Sequence, residues 1–311
     1  MVTEPVRVEG MSFTLMSTFF FPVASLVALF CFLKTSHLYW KRRGIPSLRP
    51  SFPFGDLKNF LTLRKSMGES YAEIYHKMGN MDYIGVYMFH RPIFVLKNPE
   101  LIKNFLVKDF EHFHDHGFAF DEKVDPLLAN LFMLRGKRWR NLRADMTKTF
   151  TSGKMKSMFN MVLACSQELV DYLERSAESQ EAVEMKDVMA KFTTDVIASC
   201  AFGIQCNSMK NPNAEFRQFG KRMHQLSPKD HLVGLLYLVC PRLASILGIP
   251  LTPNCVSVFF RRVVKEIVDM RIRTKSQSND FIQLLLELKE EKESQGKVTH
   301  PFLDFKRKIR T

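Results

Sequence analysis

The stretch "GKRWRNLRADMTKTFTSGKMK", residues 136–156, decides how this chain is interpreted, because it places Trp139 among seven basic residues and one acid. On a helix that begins near Lys137, Trp139 and Arg143 are four residues apart and share one face, which Met146 and Phe150 continue on its apolar side. An indole N–H, a guanidinium and apolar support suit a carboxylate or phosphate attached to a flat apolar body. The alternative is a Trp with an Arg stacked on it in an ordinary helix.

Length and composition indicate a globular protein with an anionic partner. The chain has 311 residues, of which 46% are hydrophobic, and this is enough for a buried core. Its 45 basic and 32 acidic residues give a net charge of +13, which suits lipid, an acidic protein or a bound carboxylate. Nucleic acid is disfavoured, because the basic residues are spread along the chain without alternating aromatic residues on a sheet.

The cysteines favour a reducing environment. They form no C-x-x-C pair, and one of them lies in an apolar run, so neither a zinc module nor a disulfide framework is predicted. The six are Cys31, Cys165, Cys200, Cys206, Cys240 and Cys255.

The N-terminal region predicts a membrane anchor. Residues 12–33 are apolar and carry no charge, and their number is close to the ~20 residues that a spanning helix needs. Basic residues follow this run, so residues 1–11 are predicted to be a lumenal tail and the bulk of the chain to be cytoplasmic. A cleaved signal peptide is the alternative. Residues 34–55 are predicted to be a basic, Pro-rich linker, because proline disfavours helix.

Periodicity predicts a mainly α protein with a small β-sheet. Two short strands at 83–89 and 91–96 form an edge hairpin, and a helix begins at Asn98–Pro99. Further helices are predicted over 69–79, 137–150, 154–175, 185–203, 213–225, 231–247, 254–275 and 279–293. The apolar stretch 231–251 is either a buried helix pair or an apolar lip that dips into lipid.

Several motifs, in order, resemble the N-terminal part of microsomal cytochrome P450 monooxygenases. They are the anchor with its Pro-rich spacer, the strand pair, the segment "KDFEHFHDHGFAFDEKVDPLLANLF" (108–132), the helix with Trp139 and Arg143, and the turn "TFTSGKMK" (149–156). The resemblance covers residues 12–295 and is greatest to the insect detoxification branch called family six. It implies the cytochrome P450 fold, with residues 56–295 as the N-terminal part of the catalytic domain and 296–311 as an atypical tail.

The resemblance also implies an activity, a cofactor and partners. Members are heme-thiolate monooxygenases of the endoplasmic reticulum membrane, which insert one atom of molecular oxygen into lipophilic substrates, xenobiotic or endogenous. The cofactor is heme (iron protoporphyrin), and electrons come from an NADPH-dependent flavoprotein reductase. Stretch 231–251 corresponds to the membrane-facing entry for substrates.

The resemblance assigns roles to particular residues. Trp139 and Arg143 match the positions that hold the heme propionates. The basic rim, which we define as Lys137, Arg138 and Lys148, corresponds to the reductase-docking surface. The loop before the helix covers heme and substrate, so its candidate pocket residues are Phe118, Phe120 and Phe132; ordinary packing remains an equal alternative for each of them.

Two departures from the family pattern stand out. His116 lies where relatives commonly have an Arg that adds a propionate contact, and a neutral His replaces that contact only weakly. The alternation His112, His114, His116 resembles a metal site, but no nearby Cys or further His completes a ligand set, so no metal site is predicted.

The second departure is that the family's catalytic parts are not found in the sequence. The oxygen-activating helix, the structural E-x-x-R pair and the heme-thiolate loop have no counterpart, and no cysteine lies in a glycine-rich loop before a helix. We therefore expect a truncated fold, no catalytic residue or axial thiolate, an inactive chain, and helices with exposed apolar faces and poor solubility. The alternative function is a non-catalytic, membrane-anchored remnant that competes for the reductase.

Overall fold

The computed structural model describes residues 9–117, 119–225 and 227–296. These residues form two compact units, with the boundary between Phe113 and His114. Both units are mainly helical, and a two-stranded sheet lies in the first. The predicted mainly α architecture with a small β-sheet is thus confirmed.

The first unit, up to Phe113, contains six helices and a hairpin within the described range. Ser66 and Glu69 form a capping box at the start of α4, and the Asn98 side chain accepts hydrogen bonds at the start of α5. A π-helical turn, Asn104–Lys108, follows α5. The elements are α1 (Glu9–Ser36), α2 (Tyr39–Arg42), α3 (Lys58–Leu61), α4 (Met67–Lys77), β1 (Tyr83–Met88), β2 (Arg91–Leu96), α5 (Pro99–Lys103) and α6 (Phe110–Phe113).

The segment predicted as a linker packs against the hairpin. Strands β1 and β2 are antiparallel, and Met88 pairs with Arg91 at the turn. Trp40 Nε1 donates to the Val86 carbonyl at 3.0 Å, and the Gly85 N–H donates to the Pro46 carbonyl at 2.8 Å. Trp40 is therefore part of the core of this unit, and residues 34–55 pack on the hairpin through a few specific contacts.

The predicted transmembrane anchor over residues 12–33 lies within helix α1. Within the part of the chain that is described, however, no helix is both long enough and apolar enough to cross a membrane. Residues 1–8 of the predicted lumenal tail and residues 297–311 of the predicted C-terminal tail lie outside the described residues.

The second unit, from His114 onward, is helical throughout. A π-helical turn, Ala198–Phe202, follows α9, and 3₁₀ turns lie at Pro126–Leu128 and Lys148–Phe150. The helices are α7 (Gly136–Thr147), α8 (Ser152–Glu178), α9 (Met185–Ile197), α10 (Glu215–His224), α11 (Pro228–Val239), α12 (Pro241–Ile246), α13 (Asn254–Thr274) and α14 (Phe281–Ser294).

The predicted single helix over 231–247 is two helices, because Pro241 interrupts it. Proline lacks an N–H and disfavours helical geometry in the residue before it, and Cys240 accordingly has φ −136° and ψ 65°. The helix pair has a buried side with Tyr237 and Ala244. It also has an apolar exposed side, where Ile246 is 81% exposed. The buried side fits the predicted helix pair, and contact of the exposed apolar side with lipid stays a prediction.

The core of the second unit lies where α13 and α14 meet the π-helical turn. Buried Ile267, Val268 and Ile282 form its centre, against which Phe202 and Ile204 pack. Beside it, the side chains of Arg271 and Asp280 form a buried ion pair. The apolar packing and the ion pair together join the two helices.

Helix α8 carries the predicted exposed apolar face, and this leads to a prediction about solubility. Met155, Phe159 and Leu163 follow one another at four-residue spacing, and Phe159 is 56% exposed. Replacing Phe159 and Leu163 with glutamine is expected to lower binding of a hydrophobic dye and raise the soluble fraction, because contiguous apolar surface promotes association. The matched control is Met158→Gln, which alters a buried side chain and is expected to increase dye binding. Unchanged dye binding in the double variant would contradict this prediction.

Candidate functional site

Helix α7 is oriented by contacts at both of its ends. Its first residue, Gly136, has φ +54°, and the Gly136 N–H donates to Asp115 Oδ1 at 2.9 Å. On its inner side Leu142 and Asp145 are buried, and Asp145 forms a 2.6 Å ion pair with Lys292 of α14. These contacts fix which side of α7 faces outward.

Trp139 and Arg143 lie one helical turn apart on α7, as predicted. Trp139 is half-buried, and its ring centroid is 5.6 Å from that of His114 at an interplanar angle of 34°. Arg143 is exposed, and its guanidinium has no acidic partner among the described residues. The Arg143 guanidinium thus has no carboxylate partner within the described part of the chain and lies one helical turn from a partly buried indole. It therefore remains available to an external anion.

His116 is held by Phe132. The two rings are stacked at 4.3 Å and 23°, and His116 Nδ1 is 2.9 Å from the Phe132 carbonyl oxygen. His114 lies 3.3 Å from Asp115, the residue that contacts the start of α7. His114 and His116 thus connect the loop to residues that contact or precede α7.

In the described ranges no group of three or more His, Cys, Asp or Glu side chains is placed to hold a metal ion.

The three candidate pocket residues differ in their surroundings. Phe118 lies outside the described residues. Phe120 is half-buried, whereas Phe132 is 55% exposed and covers the His116 ring. Phe132 stacks on His116 and Phe120 is a partly accessible apolar side chain, so the pocket role of each stays a prediction.

Of the three residues of the basic rim, one forms an ion pair with an acidic side chain. Lys137 and Lys148 are exposed and have no ion pair within the described part of the chain. Arg138 instead forms a 2.6 Å ion pair with Glu122, which offsets its charge. Sequence reasoning missed Glu122 and also Asp115, because each contacts α7 from more than fifteen residues away and has no local signal.

Three cysteine thiols of the second unit have a raised pKa. Burial raises the pKa of the Cys165, Cys200 and Cys206 thiols. A raised pKa favours the protonated thiol, while the thiolate is the form that binds metals. In the absence of a metal these three thiols are therefore held in the protonated form.

Comparison with known proteins identifies the family. The family model for cytochrome P450 matches residues 46–304. The chain therefore belongs to the cytochrome P450 family. Among its relatives it is 38% identical over 277 residues to Cytochrome P450 6A1 of Musca domestica, which is 89% of this chain and 54% of that protein.

Two further relatives give the same result. The chain is 37% identical to Cytochrome P450 6j1 of Blattella germanica, over 85% of this chain and 53% of that protein. It is 37% identical to Cytochrome P450 6a2 of Drosophila melanogaster, over 84% of this chain and 52% of that protein. The predicted family and its insect branch are confirmed, and the chain spans about half the length of these curated relatives.

The residues present fit one part of the cofactor that this family implies. Heme carries carboxylates on a flat apolar ring, and the exposed guanidinium of Arg143, one helical turn from the indole of Trp139, suits such a group. The fit is to the acidic edge of the ring.

Proposed function

We propose that this chain contributes the propionate-binding part of a heme-thiolate monooxygenase that oxidises lipophilic substrates, xenobiotic or endogenous. The observation that carries the proposal is Arg143, a guanidinium that is exposed, lacks an acidic partner among the described residues, and lies one turn from Trp139. When bound, heme supplies the activation of molecular oxygen in this family.

The chain's own residues bind and orient in this proposal. Arg143 donates charge-assisted hydrogen bonds to a carboxylate, and Trp139 gives the flat ring an apolar support. The Asp115 contact at Gly136 and the Asp145–Lys292 ion pair hold α7 in one orientation, so the two side chains keep their spacing. Phe120, and Phe118 outside the described residues, are the proposed substrate contacts.

Heme retention tests this proposal. After the purified chain is mixed with heme and passed through a desalting column, Arg143→Ala is expected to retain heme about tenfold more weakly, because a charge-assisted hydrogen bond contributes roughly 1.5–3 kcal/mol. The matched control is Arg140→Ala, which removes an exposed charge from the same helix. Equal retention by both variants would refute the propionate role of Arg143.

The state of the thiols is tested by a carbon monoxide difference spectrum. We expect the heme-loaded chain to show no thiolate-type Soret band, because none of its six cysteines lies in a glycine-rich loop before a helix, where the family has its axial ligand. In this form the chain is proposed to be inactive. Appearance of a thiolate-type band would overturn the expectation.

A second candidate function is competition for the NADPH-dependent flavoprotein reductase, and the exposed Lys137 and Lys148 favour it. Exposed charges steer encounters with an acidic partner. Added chain is expected to slow reduction of cytochrome c by the reductase at low salt, and Lys137→Glu with Lys148→Glu should relieve that inhibition. Lys229→Glu, at an exposed position on α11, is the control. Inhibition that the rim variants leave unchanged argues against this function.

The proposed location is the endoplasmic reticulum membrane, with the bulk of the chain on the cytoplasmic side. Support comes from the family relationship and from the exposed apolar side of α11 and α12, where Leu232 is 68% and Ile246 is 81% exposed. Cell fractionation followed by carbonate extraction tests this location. Recovery of the chain in the soluble fraction before extraction would contradict it.

A further inference from the structure

The end of α13 and the loop that follows it carry a basic motif that the proposed function does not use. The sequence "RIRTKSQSND", residues 271–280, places Arg273 three residues before Ser276 and Arg271 five residues before it. Protein kinases discriminate among substrates by charge, and an acidic groove on the kinase selects arginine at a fixed distance before the acceptor. The spacing therefore makes Ser276 a candidate phosphate acceptor.

Three hydroxyl side chains of this protein follow an arginine by three residues. They are Ser245, Thr274 and Ser276, which follow Arg242, Arg271 and Arg273. A kinase takes up its acceptor in an extended segment, so a hydroxyl that lies in a helix reacts only after local unfolding. The surroundings of the three hydroxyls in the structure therefore decide which of them is accessible.

Two of the three hydroxyls are held in helices. Ser245 lies in α12, is half-buried, and donates to Asp121 Oδ2 at 2.9 Å. Thr274 is the last residue of α13, and its hydroxyl donates to the Met270 carbonyl at 2.9 Å. Each would have to leave its helix to enter a kinase groove, and this costs free energy. Ser245 and Thr274 are therefore disfavoured as acceptors.

Ser276 lies outside any helix or strand. Lys275 has φ +50°, a left-handed conformation that ends α13. Ser276 follows it, is exposed, and begins an irregular segment that extends to the start of α14. Its Oγ is 2.9 Å from Thr274 Oγ1, and this contact is itself exposed. The Ser276 hydroxyl is thus accessible to an enzyme without the unfolding of a helix.

The two arginines of the motif differ in the same respect. Arg273 is exposed, and its Nε donates to the Asp269 carbonyl at 3.2 Å; within the described part of the chain it forms no ion pair. Arg271 is only 5% exposed, because it is paired with the buried Asp280. The arginine five residues before Ser276 is therefore unavailable to a kinase, whereas the arginine three residues before it is available.

We propose that Ser276 is a phosphorylation site for a serine kinase that recognises an arginine three residues before the acceptor and requires none five residues before it. The co-substrate is ATP. The bond between its γ-phosphorus and the oxygen that bridges to the β-phosphate breaks, and the Ser276 Oγ forms the new bond to phosphorus. The hydroxyl proton passes to a base of the kinase, and ADP leaves. The phosphate adds about −1.5 to −2 charges near pH 7, which the exposed Arg273 and Lys275 partly offset.

Labelling of the whole chain tests the proposal. The catalytic subunit of cyclic-AMP-dependent protein kinase is the probe, with radiolabelled ATP, and mass spectrometry locates the phosphate. We expect Ser276 to be the main labelled residue, and Ser276→Ala should lower the initial rate of labelling about tenfold, because the other two acceptors require local unfolding. Ser245→Ala, which removes a serine at the same spacing, is the matched control and should leave the rate unchanged.

The recognition contact is tested separately from the acceptor. Arg273→Gln keeps the Ser276 hydroxyl and is expected to slow labelling about tenfold, since it removes a charge-assisted hydrogen bond to the kinase. Lys265→Gln, at another exposed basic position on α13, is the control for general loss of positive charge. Ser276→Thr keeps a hydroxyl and should still be labelled, which separates loss of the acceptor from loss of the fold.

Four results would overturn the proposal. They are absence of labelling, phosphate mainly on Ser245 or Thr274 in a chain with an unchanged circular dichroism spectrum, labelling of Ser276→Ala at the original rate, and equal slowing by Arg273→Gln and Lys265→Gln. The measurement requires no heme, so its result is independent of the proposed role of Arg143.

Discussion

Replacing Asp280 with alanine is expected to lower the free energy of unfolding by about 3–5 kcal/mol, because it leaves a buried guanidinium without its counter-charge. Arg271 Nη1 and Nη2 donate to the two Asp280 carboxylate oxygens at 2.8 and 2.5 Å. The Arg271 side chain is only 5% exposed, and that of Asp280 is fully buried. Asp280 also accepts from the Gln283 N–H at the start of α14, so its loss weakens this helix start as well.

Chemical denaturation followed by circular dichroism measures this loss. Asp269→Ala, at an exposed position on α13, is the matched control and should change stability by less than ~0.5 kcal/mol. The double variant Arg271→Met with Asp280→Leu should recover much of the loss, since it removes both buried charges. The explanation fails if Asp280→Ala costs no more than Asp269→Ala.

Replacing Gly85 with alanine is expected to displace Trp40 and to cost about 3 kcal/mol, near the lower end of the loss measured when a buried aromatic ring is removed. A methyl group on Gly85 would lie 2.3–2.5 Å from three atoms of the Trp40 ring. The ring is 7% exposed and has little freedom to move, because its Nε1 donates to Val86 and its backbone N–H donates to the Tyr87 hydroxyl.

Tryptophan fluorescence measures the displacement directly. In a Trp139→Phe background Trp40 is the remaining tryptophan, and its emission should shift to longer wavelength in Gly85→Ala as the ring becomes exposed. Gly68→Ala is the control, because a methyl group there meets no atom closer than 4.0 Å. An unchanged emission maximum in Gly85→Ala would show that Trp40 accommodates the methyl group.

Elements with local signals could be predicted from the sequence. The hairpin was predicted from two β-branched and aromatic runs, and it lies at Tyr83–Met88 and Arg91–Leu96. The start of α5 followed from Asn98, whose side chain does accept the N–H groups of Glu100 and Leu101. Caps and periodicity act over a few residues, so their effect is visible without the fold.

Contacts between distant residues could not be predicted in the same way. The pairing of residues 34–55 with β1 depends on backbone groups, and backbone groups carry no sequence signal. The Asp145–Lys292 ion pair joins residues that are 147 positions apart. The π-helical turn at Ala198–Phe202 likewise had no signal in the helical pattern.

The candidate site was predictable only in part. Trp139 and Arg143 could be paired because four-residue spacing on a helix places them together. The role of His116 was not foreseen, since its stacking on Phe132 depends on the path of the loop between them.

The contacts between residues 34–55 and β1 also limit how far the chain can be shortened for expression. A version that begins at residue 56 would lose the Trp40 ring and the backbone bridges of Ser47 to Gly85 and of Gly55 to Met88. One side of the hairpin would then be uncovered, and an uncovered strand edge promotes aggregation. Deletions meant to remove the apolar N-terminal helix should therefore stop before Tyr39.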